Sequence, residues 1–164
     1  MALKLSQIQK SPESYVGAIS VCGWVRTVRE GKTLGFIELT DGTCFSPVQA
    51  VFERDDRNLG NGLTTGCAIA VEGELVVTPD APQPFEIRAK EIAVEGECPS
   101  DYPLQKKRHS LEYLRTIQHL RPRTNTFQAT FRVRSVVAAA IHEFFQQNGF
   151  VYVHTPLITG SDCE

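Results

Sequence analysis

The stretch VCGWVRTVREGKTLGFIELTDG, residues 21–42, has the pattern of two β-strands joined by a tight turn. Its first half belongs to a longer run of β-branched and apolar residues, AISVCGWVRTVR. EGKT supplies a glycine-containing turn, and the second strand, LGFIELT, ends at Asp41-Gly42, a strong hairpin signal. This stretch therefore predicts that the first part of the chain is built from consecutive strands.

Three further runs of strand-like sequence follow: CFSPVQAVFE, CAIAVEGELVVTP and PFEIRAKEIAVEGE. RDDRNLGNGLTTG, between the third and fourth strands, is long enough for a short helix or an ordered loop. Five strands with the longer connection after the third match a Greek-key barrel of the oligonucleotide-binding (OB) kind. We therefore predict a mainly β fold with a five-stranded OB barrel. A β-sandwich lacking one strand pair is the main structural alternative.

The alternation of side chains along strands two and three separates an inner from an outer face. One set of apolar residues is predicted to form the core: Ile37, Leu39, Val48, Ala50 and Phe52. Phe36 and Gln49 then lie on the outer face, with Arg29 beside them at the end of strand one. An aromatic ring can stack on a splayed base, for about 1–3 kcal/mol per base. These three residues form a candidate single-stranded RNA site, although an outward Phe is also common as plain apolar surface.

The second half of the chain changes character after Cys98. A polar, basic and proline-marked segment predicts a linker with one or two short helical turns. A long helix is predicted next, capped by Thr124, Asn125 or Thr126 and ended by Asn148-Gly149. Its broad apolar stripe requires cover from the rest of a domain or from a second copy. A short strand is predicted at 150–153, before Pro156.

Composition and charge limit the function classes. The chain has 164 residues, 41% hydrophobic and 22% charged, without an apolar run long enough for a membrane span and without a signal peptide. Five scattered cysteines without a C-x-x-C pair favour reduced thiols and a cytoplasmic location. No metal-ligand cluster, glycine-rich phosphate loop or Ser/His/Asp arrangement is evident. We therefore predict no catalytic and no metal-binding residues in this chain.

The charge is unevenly distributed. Residues 1–100 carry 9 Lys and Arg against 14 Asp and Glu, whereas residues 101–164 carry 8 against 5. Between Lys106 and Arg134 there are eight basic residues and one acidic residue, Glu112. Such a stretch can follow a phosphate backbone, or it can be a solvated linker.

Two stretches resemble a known family. VCGWVRTVREGKTLGFIELTDG resembles the first hairpin of the anticodon-binding OB domain in the aspartyl/asparaginyl/lysyl group of class II aminoacyl-tRNA synthetases. HLRPRTNTFQATFRVRSVVAAAIHEFFQQNGFVYVHTPLITGSDCE resembles the opening of their α+β catalytic domain, including motif 1, the helix, strand and proline of the dimer interface. The ending HTPLITGSDCE is similar to the asparaginyl members. The resemblance extends from about Val16 to the last residue.

This resemblance implies a domain order and an activity. Residues 1–99 would form the anticodon-binding domain, 100–126 the hinge or linker, and 127–164 the start of the catalytic domain. The whole enzyme would use ATP and Mg²⁺ to activate asparagine and transfer it to tRNA(Asn), as a cytoplasmic homodimer. Motifs 2 and 3 are absent from the chain, so we expect this segment to bind the tRNA(Asn) anticodon loop, to bind no cofactor and not to catalyse.

The resemblance also implies roles for individual residues. Phe36 would stack on the middle anticodon base, a uridine, while Arg29 and Gln49 hydrogen-bond its edge. Pro156 would lie at the dimer interface, and Glu164 would contact the ammonium group of the amino acid in the full enzyme.

Three positions around the predicted RNA face are assigned from the same resemblance. Gly23 and Trp24 match the family's GW pair and are expected to be structural, with Trp24 filling the barrel. Val51 stands where some aspartyl relatives have a second aromatic, which leaves the reading of the third anticodon base open.

Two other functions remain compatible with the sequence. One is a free-standing RNA-binding OB protein whose long helix dimerises. The other is an interaction or structural module without an RNA role, for which Phe36→Ala would leave RNA affinity unchanged.

Overall fold

The computed structural model describes residues 2–54 and 62–160. Five strands form a closed barrel: β1 (Gly17–Glu30), β2 (Leu34–Thr40), β3 (Val48–Glu53), β4 (Ala68–Val77) and β5 (Phe85–Gly96). The α-helices are α1 (Leu5–Lys10), α2 (Leu111–Thr116) and α3 (Asn125–Gln147), and short 3₁₀ turns lie at Pro12–Tyr15 and Arg121–Arg123. The chain divides into two compact units, 1–116 and 117–164.

The order of strands around the barrel is β1-β2-β3-β5-β4. Neighbours pair antiparallel except at β3 and β5, which run parallel and are joined through Ala50–Ile87 and Val51–Arg88. This β3–β5 pair closes the sheet on itself, so the alternative of a β-sandwich is wrong. The predicted mainly β fold with a five-stranded Greek-key barrel is confirmed.

The core of the barrel contains the residues that alternation predicts. All five are at most 4% exposed: Ile37, Leu39, Val48, Ala50 and Phe52. Strands β4 and β5 add Ile69, Val71, Leu75 and Ile87, each 0–1% exposed. Since successive side chains of a strand point to opposite faces, the intervening residues of β2, β3 and β5 lie on the outside.

Strand β3 is shorter than predicted. It begins at Val48 rather than Cys44, because Pro47 has no backbone N–H to donate to a neighbouring strand. The predicted short helix or ordered loop after β3 lies largely outside the described residues, which resume at 62.

The N-terminal helix α1 is an addition that sequence patterning did not anticipate. Its Leu5 and Ile8 are fully buried within the barrel core. Asp41 at the end of β2 anchors it: one carboxylate oxygen accepts the Leu5 N–H at 2.9 Å, and the other accepts the Thr43 N–H at 2.9 Å and the Thr43 hydroxyl at 2.7 Å. Partial burial raises the pKa of Asp41, but these hydrogen bonds together outweigh it and hold the pKa below its ordinary value of 3.8.

The prediction that Trp24 fills the barrel is wrong. Val21 and Val25 of β1 are 0% and 1% exposed and point inward, so Trp24 has the opposite parity and is 46% exposed on the outside. Gly23 is structural, as predicted, since a Cβ there would lie 2.6 Å from the Thr40 carbonyl oxygen.

In the second unit, α3 has the predicted limits. Thr124 occupies the N-cap position, and Gly149 follows Asn148 with a φ of +82°, the left-handed conformation that suits glycine after a helix. The exposed surface of α3 includes apolar side chains: Phe131, Val133, Val136, Val137, Ile141, Phe144 and Phe145.

The strand predicted at 150–153 is not formed. Residues 150–159 have no regular secondary structure, and Phe150, Val151, Tyr152 and Val153 are 61–84% exposed. A strand is stabilised by hydrogen bonds to a neighbouring strand, and none of the described residues pairs with this segment. Instead, Phe150 turns back onto the helix end, donating its N–H to the Phe145 carbonyl at 3.1 Å.

Candidate nucleic-acid interface

A row of four residues runs across the outer face of the barrel. Arg29 of β1 lies opposite Phe36 of β2, Phe36 lies opposite Val51 of β3, and Val51 lies beside Arg88 of β5. The inward neighbours of these residues, such as Ile37, Ala50 and Ile87, are fully buried, so the row faces outward. We call these four residues the outer row.

Gln49 lies two residues before Val51 on β3 and therefore on the same outer face. It pairs with Glu38 of β2, which in turn pairs with Thr27 of β1. Gln49 is therefore diagonal to Phe36, a separation that long side chains bridge on one face of a sheet. The structure thus brings the three predicted RNA-contacting residues, Arg29, Phe36 and Gln49, onto one continuous patch.

Exposure differs among these residues in a way that suits stacking. Arg29 is exposed, whereas Phe36 and Gln49 are half-buried. Val51 is only 9% exposed although it points away from the core. Its neighbours in the outer row, Phe36 and Arg88, flank it on both sides, so the centre of the patch has an apolar floor.

Ion pairs orient the two arginines of the outer row. Glu38 lies 3.9 Å from Nη2 of Arg29, with the side chains 33% and 57% exposed. Glu86 lies 3.4 Å from Nε of Arg88, whose side chain is 63% exposed. Exposed pairs of this kind contribute little to stability, about 0–1 kcal/mol, but they restrict where the guanidinium groups point.

A groove of about 510 Å³ borders the row on the β3–β5 side. Its walls come from three strands: Leu34, Val51, Phe52, Glu53, Glu86, Arg88, Ala89 and Lys90. The sequence analysis placed Val51 beside the predicted RNA face through the family resemblance, but it did not assign Glu38 or Arg88 to the site. Alternation along β2 places Glu38 with Phe36, but the position of Arg88 depends on the pairing of β3 with β5.

The remaining predicted sites lie elsewhere. Pro156 belongs to the second unit and is exposed in the irregular segment after α3. Glu164 lies outside the described residues. Lys106, Lys107 and Arg108, the first part of the basic stretch, are exposed before α2.

Residues 2–54 and 62–160 hold no group of three or more His, Cys, Asp or Glu side chains placed to bind a metal ion. None of the helices in these ranges combines the length and apolar character that a membrane span needs.

Family models match both parts of the chain. Residues 19–95 match the OB-fold nucleic acid binding domain, and residues 110–164 match tRNA synthetases class II (D, K and N). The asparagine–tRNA ligase of Acetivibrio thermocellus is 60% identical over 98% of this chain. That of Desulfitobacterium hafniense is 55% identical, also over 98% of this chain. By sequence, the chain belongs to the asparagine–tRNA ligase family.

The chain spans about a third of the length of the family members it matches, 35% of each of the two ligases above. The asparaginyl-tRNA synthetase of Pyrococcus horikoshii, solved in complex with asparaginyl-adenylate, superposes with a TM-score of 0.80. It is 23% identical, and the match covers 95% of this chain and 36% of that one. At this identity the superposition establishes the fold, and it agrees with the family assigned from sequence.

Proposed function

We propose that the outer face of the barrel binds the anticodon loop of tRNA(Asn), with the middle uracil stacked on Phe36. The observation that carries this proposal is the register that sets Phe36 directly opposite Arg29 and diagonal to Gln49 on one outward patch. The match of residues 19–95 to an OB-fold nucleic acid binding domain supports it.

The chemistry of the patch suits uracil. A half-buried ring can cover one face of the base, while Arg29 and Gln49 reach its edge. Uracil presents one N–H donor between two carbonyl acceptors. A glutamine amide both donates and accepts, and a guanidinium only donates, so the two side chains complement this pattern. Glu38 lies 3.9 Å from Nη2 of Arg29, so the other guanidinium N–H groups can donate to the edge of a base.

The test is an anisotropy titration of the 164-residue chain with an anticodon hairpin carrying GUU and with a copy carrying GCU. Both are measured at two salt concentrations, because phosphate contacts alone weaken equally for the two hairpins as salt rises. We expect the chain to prefer the middle U by about 1 kcal/mol or more, and Phe36→Ala to abolish the preference.

Phe45→Ala is the matched control, since Phe45 is an aromatic 45% exposed in the β2–β3 loop and outside the outer row. It should retain the preference for U. Equal binding of both hairpins by the unchanged chain, or an equal loss in both variants, would refute the assignment of Phe36.

We further propose the domain order 1–99 for the anticodon-binding domain, 100–126 for the hinge and 127–164 for the beginning of the catalytic domain. The parent protein would be a cytoplasmic ligase that activates asparagine with ATP and Mg²⁺ and transfers it to tRNA(Asn), with Glu164 binding the amino acid. Binding is the role we assign to this segment.

We also propose that α3 and Pro156 form part of a homodimer interface. Several large apolar residues of α3 are at least half exposed, among them Val133, Val136 and Ile141 at 54–68%. A continuous apolar surface of this kind on a helix favours association with another protein surface.

A further inference from the structure

The connection between β2 and β3 separates two of the residues proposed to contact uracil. Phe36 lies on β2 and Gln49 on β3, and the pairing of these strands ends at Leu39 and Val48. Gln49 therefore directly follows the last pair. A tight two-residue turn sets the register of a hairpin by its own geometry. Here residues 41–47 form a longer connection, so contacts from outside the hairpin can fix the position of Gln49.

Helix α1 supplies such contacts at the start and the middle of this connection. The backbone N–H of Leu5 donates to the Asp41 carboxylate at 2.9 Å, and the N–H of Ser6 donates to the Thr43 hydroxyl at 3.1 Å. The first turn of α1 is thus tied to the part of the connection that leaves β2.

Gln9 holds the other end of the connection. Its side-chain amide donates to the Ser46 carbonyl at 3.0 Å and lies 3.4 Å from the Pro47 carbonyl. Pro47 has no backbone N–H with which to extend the pairing of the strands. Since Pro47 immediately precedes Val48, the Gln9 amide restrains the chain two residues before Gln49.

Buried side chains fix α1 itself to the barrel. Leu5 and Ile8 are 0% exposed and belong to the same core cluster as Leu39 and Val48, the last pair of the hairpin. Because α1 is anchored in this way, its hydrogen bonds to residues 41–47 restrain the connection relative to the barrel and not merely relative to a loose helix.

We propose that Gln9 is a positioning residue for base recognition, which holds Gln49 where its amide meets the edge of the uracil stacked on Phe36. This inference rests on the proposed function of the outer face. Gln9 belongs to α1 and not to the outer row, so it acts through Gln49. Phe36 lies three pairs from the connection, so stacking on its ring should not depend on Gln9.

The experiment measures binding of the GUU and GCU hairpins by the 164-residue chain and by Gln9→Ala. The substitution should lower the preference for GUU by about two- to five-fold, since one neutral hydrogen bond is lost. The loss should come from weaker binding of GUU, with the affinity for GCU little changed. In a chain that already carries Gln49→Ala, adding Gln9→Ala should not change the preference, because the residue that Gln9 positions is then truncated.

Gln7→Ala is the matched control, since it removes the same side chain from the same helix. The Gln7 side-chain oxygen accepts the Lys4 N–H at 3.2 Å, a contact within the start of α1. This variant should keep the preference of the unchanged chain. Gln9→Lys retains an N–H donor at this position and should keep more of the preference than Gln9→Ala, while its added charge strengthens binding of both hairpins alike.

Three results would overturn the role of Gln9 while leaving the Phe36 site intact. They are an unchanged preference in Gln9→Ala, an equal reduction in Gln7→Ala, and a further reduction by Gln9→Ala in the Gln49→Ala chain. Equal weakening of both hairpins by Gln9→Ala, together with a lower midpoint of urea unfolding, would show a purely structural role and would also overturn it. If the unchanged chain does not prefer GUU over GCU, the proposed function itself fails.

Discussion

Replacing Asp41 with asparagine should loosen α1 from the barrel. Asparagine preserves the size of the side chain but has one acceptor oxygen where the carboxylate has two. If this oxygen keeps the Thr43 N–H and hydroxyl, the amide NH₂ faces the Leu5 N–H, and two donors meet where the carboxylate accepted at 2.9 Å. A part-buried N–H then loses its partner at the start of a helix whose Leu5 and Ile8 are fully buried.

The cost follows from the hydrogen bonds. Removing one partner of a bond to a charged group costs about 1.5–3 kcal/mol, and the partial exposure of this site lowers the expected loss to about 1–2 kcal/mol. For an m-value of about 2 kcal/mol/M, the midpoint of urea unfolding should fall by roughly 0.5–1 M. Trp24, the single tryptophan, lies in β1 and allows fluorescence to follow unfolding of the barrel.

The difference between the two proteins should depend on pH. The folded pKa of Asp41 is below its ordinary value of 3.8, so its ionised form is favoured by folding. That contribution is fully present above pH 3.8 and is lost as the pH falls through the lower folded value. The two midpoints should therefore converge in acid.

An exposed carboxylate provides the control for Asp41. Asp80 lies in the β4–β5 connection and is exposed, so Asp80→Asn should change the free energy of unfolding by less than about 0.5 kcal/mol. An Asp41→Asn protein as stable as the unchanged chain at neutral pH would refute the anchoring argument, as would a difference that persists undiminished in strong acid.

Two further predictions concern the packing beneath the outer row and the surface of α3. Gly35→Ala should destabilise the barrel by about 1–3 kcal/mol in urea unfolding, because the added Cβ would overlap the ring of Phe52. Gly96→Ala should not, because its Cβ would meet the Ala68 Cβ at an ordinary 3.5 Å, and equal effects of the two substitutions would contradict this reasoning. Ile141→Glu should reduce self-association of the chain in sedimentation velocity, since it puts a charge on the exposed apolar surface of α3. Ser135→Glu, about 120° around the helix from Ile141, should have less effect, and an unchanged sedimentation coefficient in both variants would contradict a dimer contact through α3.

Local patterns in the sequence were sufficient for most of the barrel. Alternation assigned Ile37, Leu39 and Phe52 to the core because each strand has one solvent-exposed and one buried face, so the face of each residue follows from its position in the strand. The same rule, applied to β1 from Val21 and Val25, would have placed Trp24 outside. The prediction that Trp24 fills the barrel came instead from the resemblance to the family's GW pair, and it proved wrong. The strand predicted at 150–153 was wrong for a different reason. The composition of this segment favours a strand, but a strand also needs a neighbouring strand to pair with.

The part of the site that escaped prediction depends on which strands become neighbours. Arg29, Phe36 and Gln49 come from β1, β2 and β3, which are consecutive, so hairpin connections alone bring them together. Arg88 comes from β5, and it reaches the same face only because β5 pairs with β3 across the closure of the barrel. Alternation shows that Arg88 points outward, but it cannot show beside which residue. A surface row assembled across such a closure is therefore visible only in part from sequence, and the residue contributed by the non-consecutive strand is the one that requires the structure.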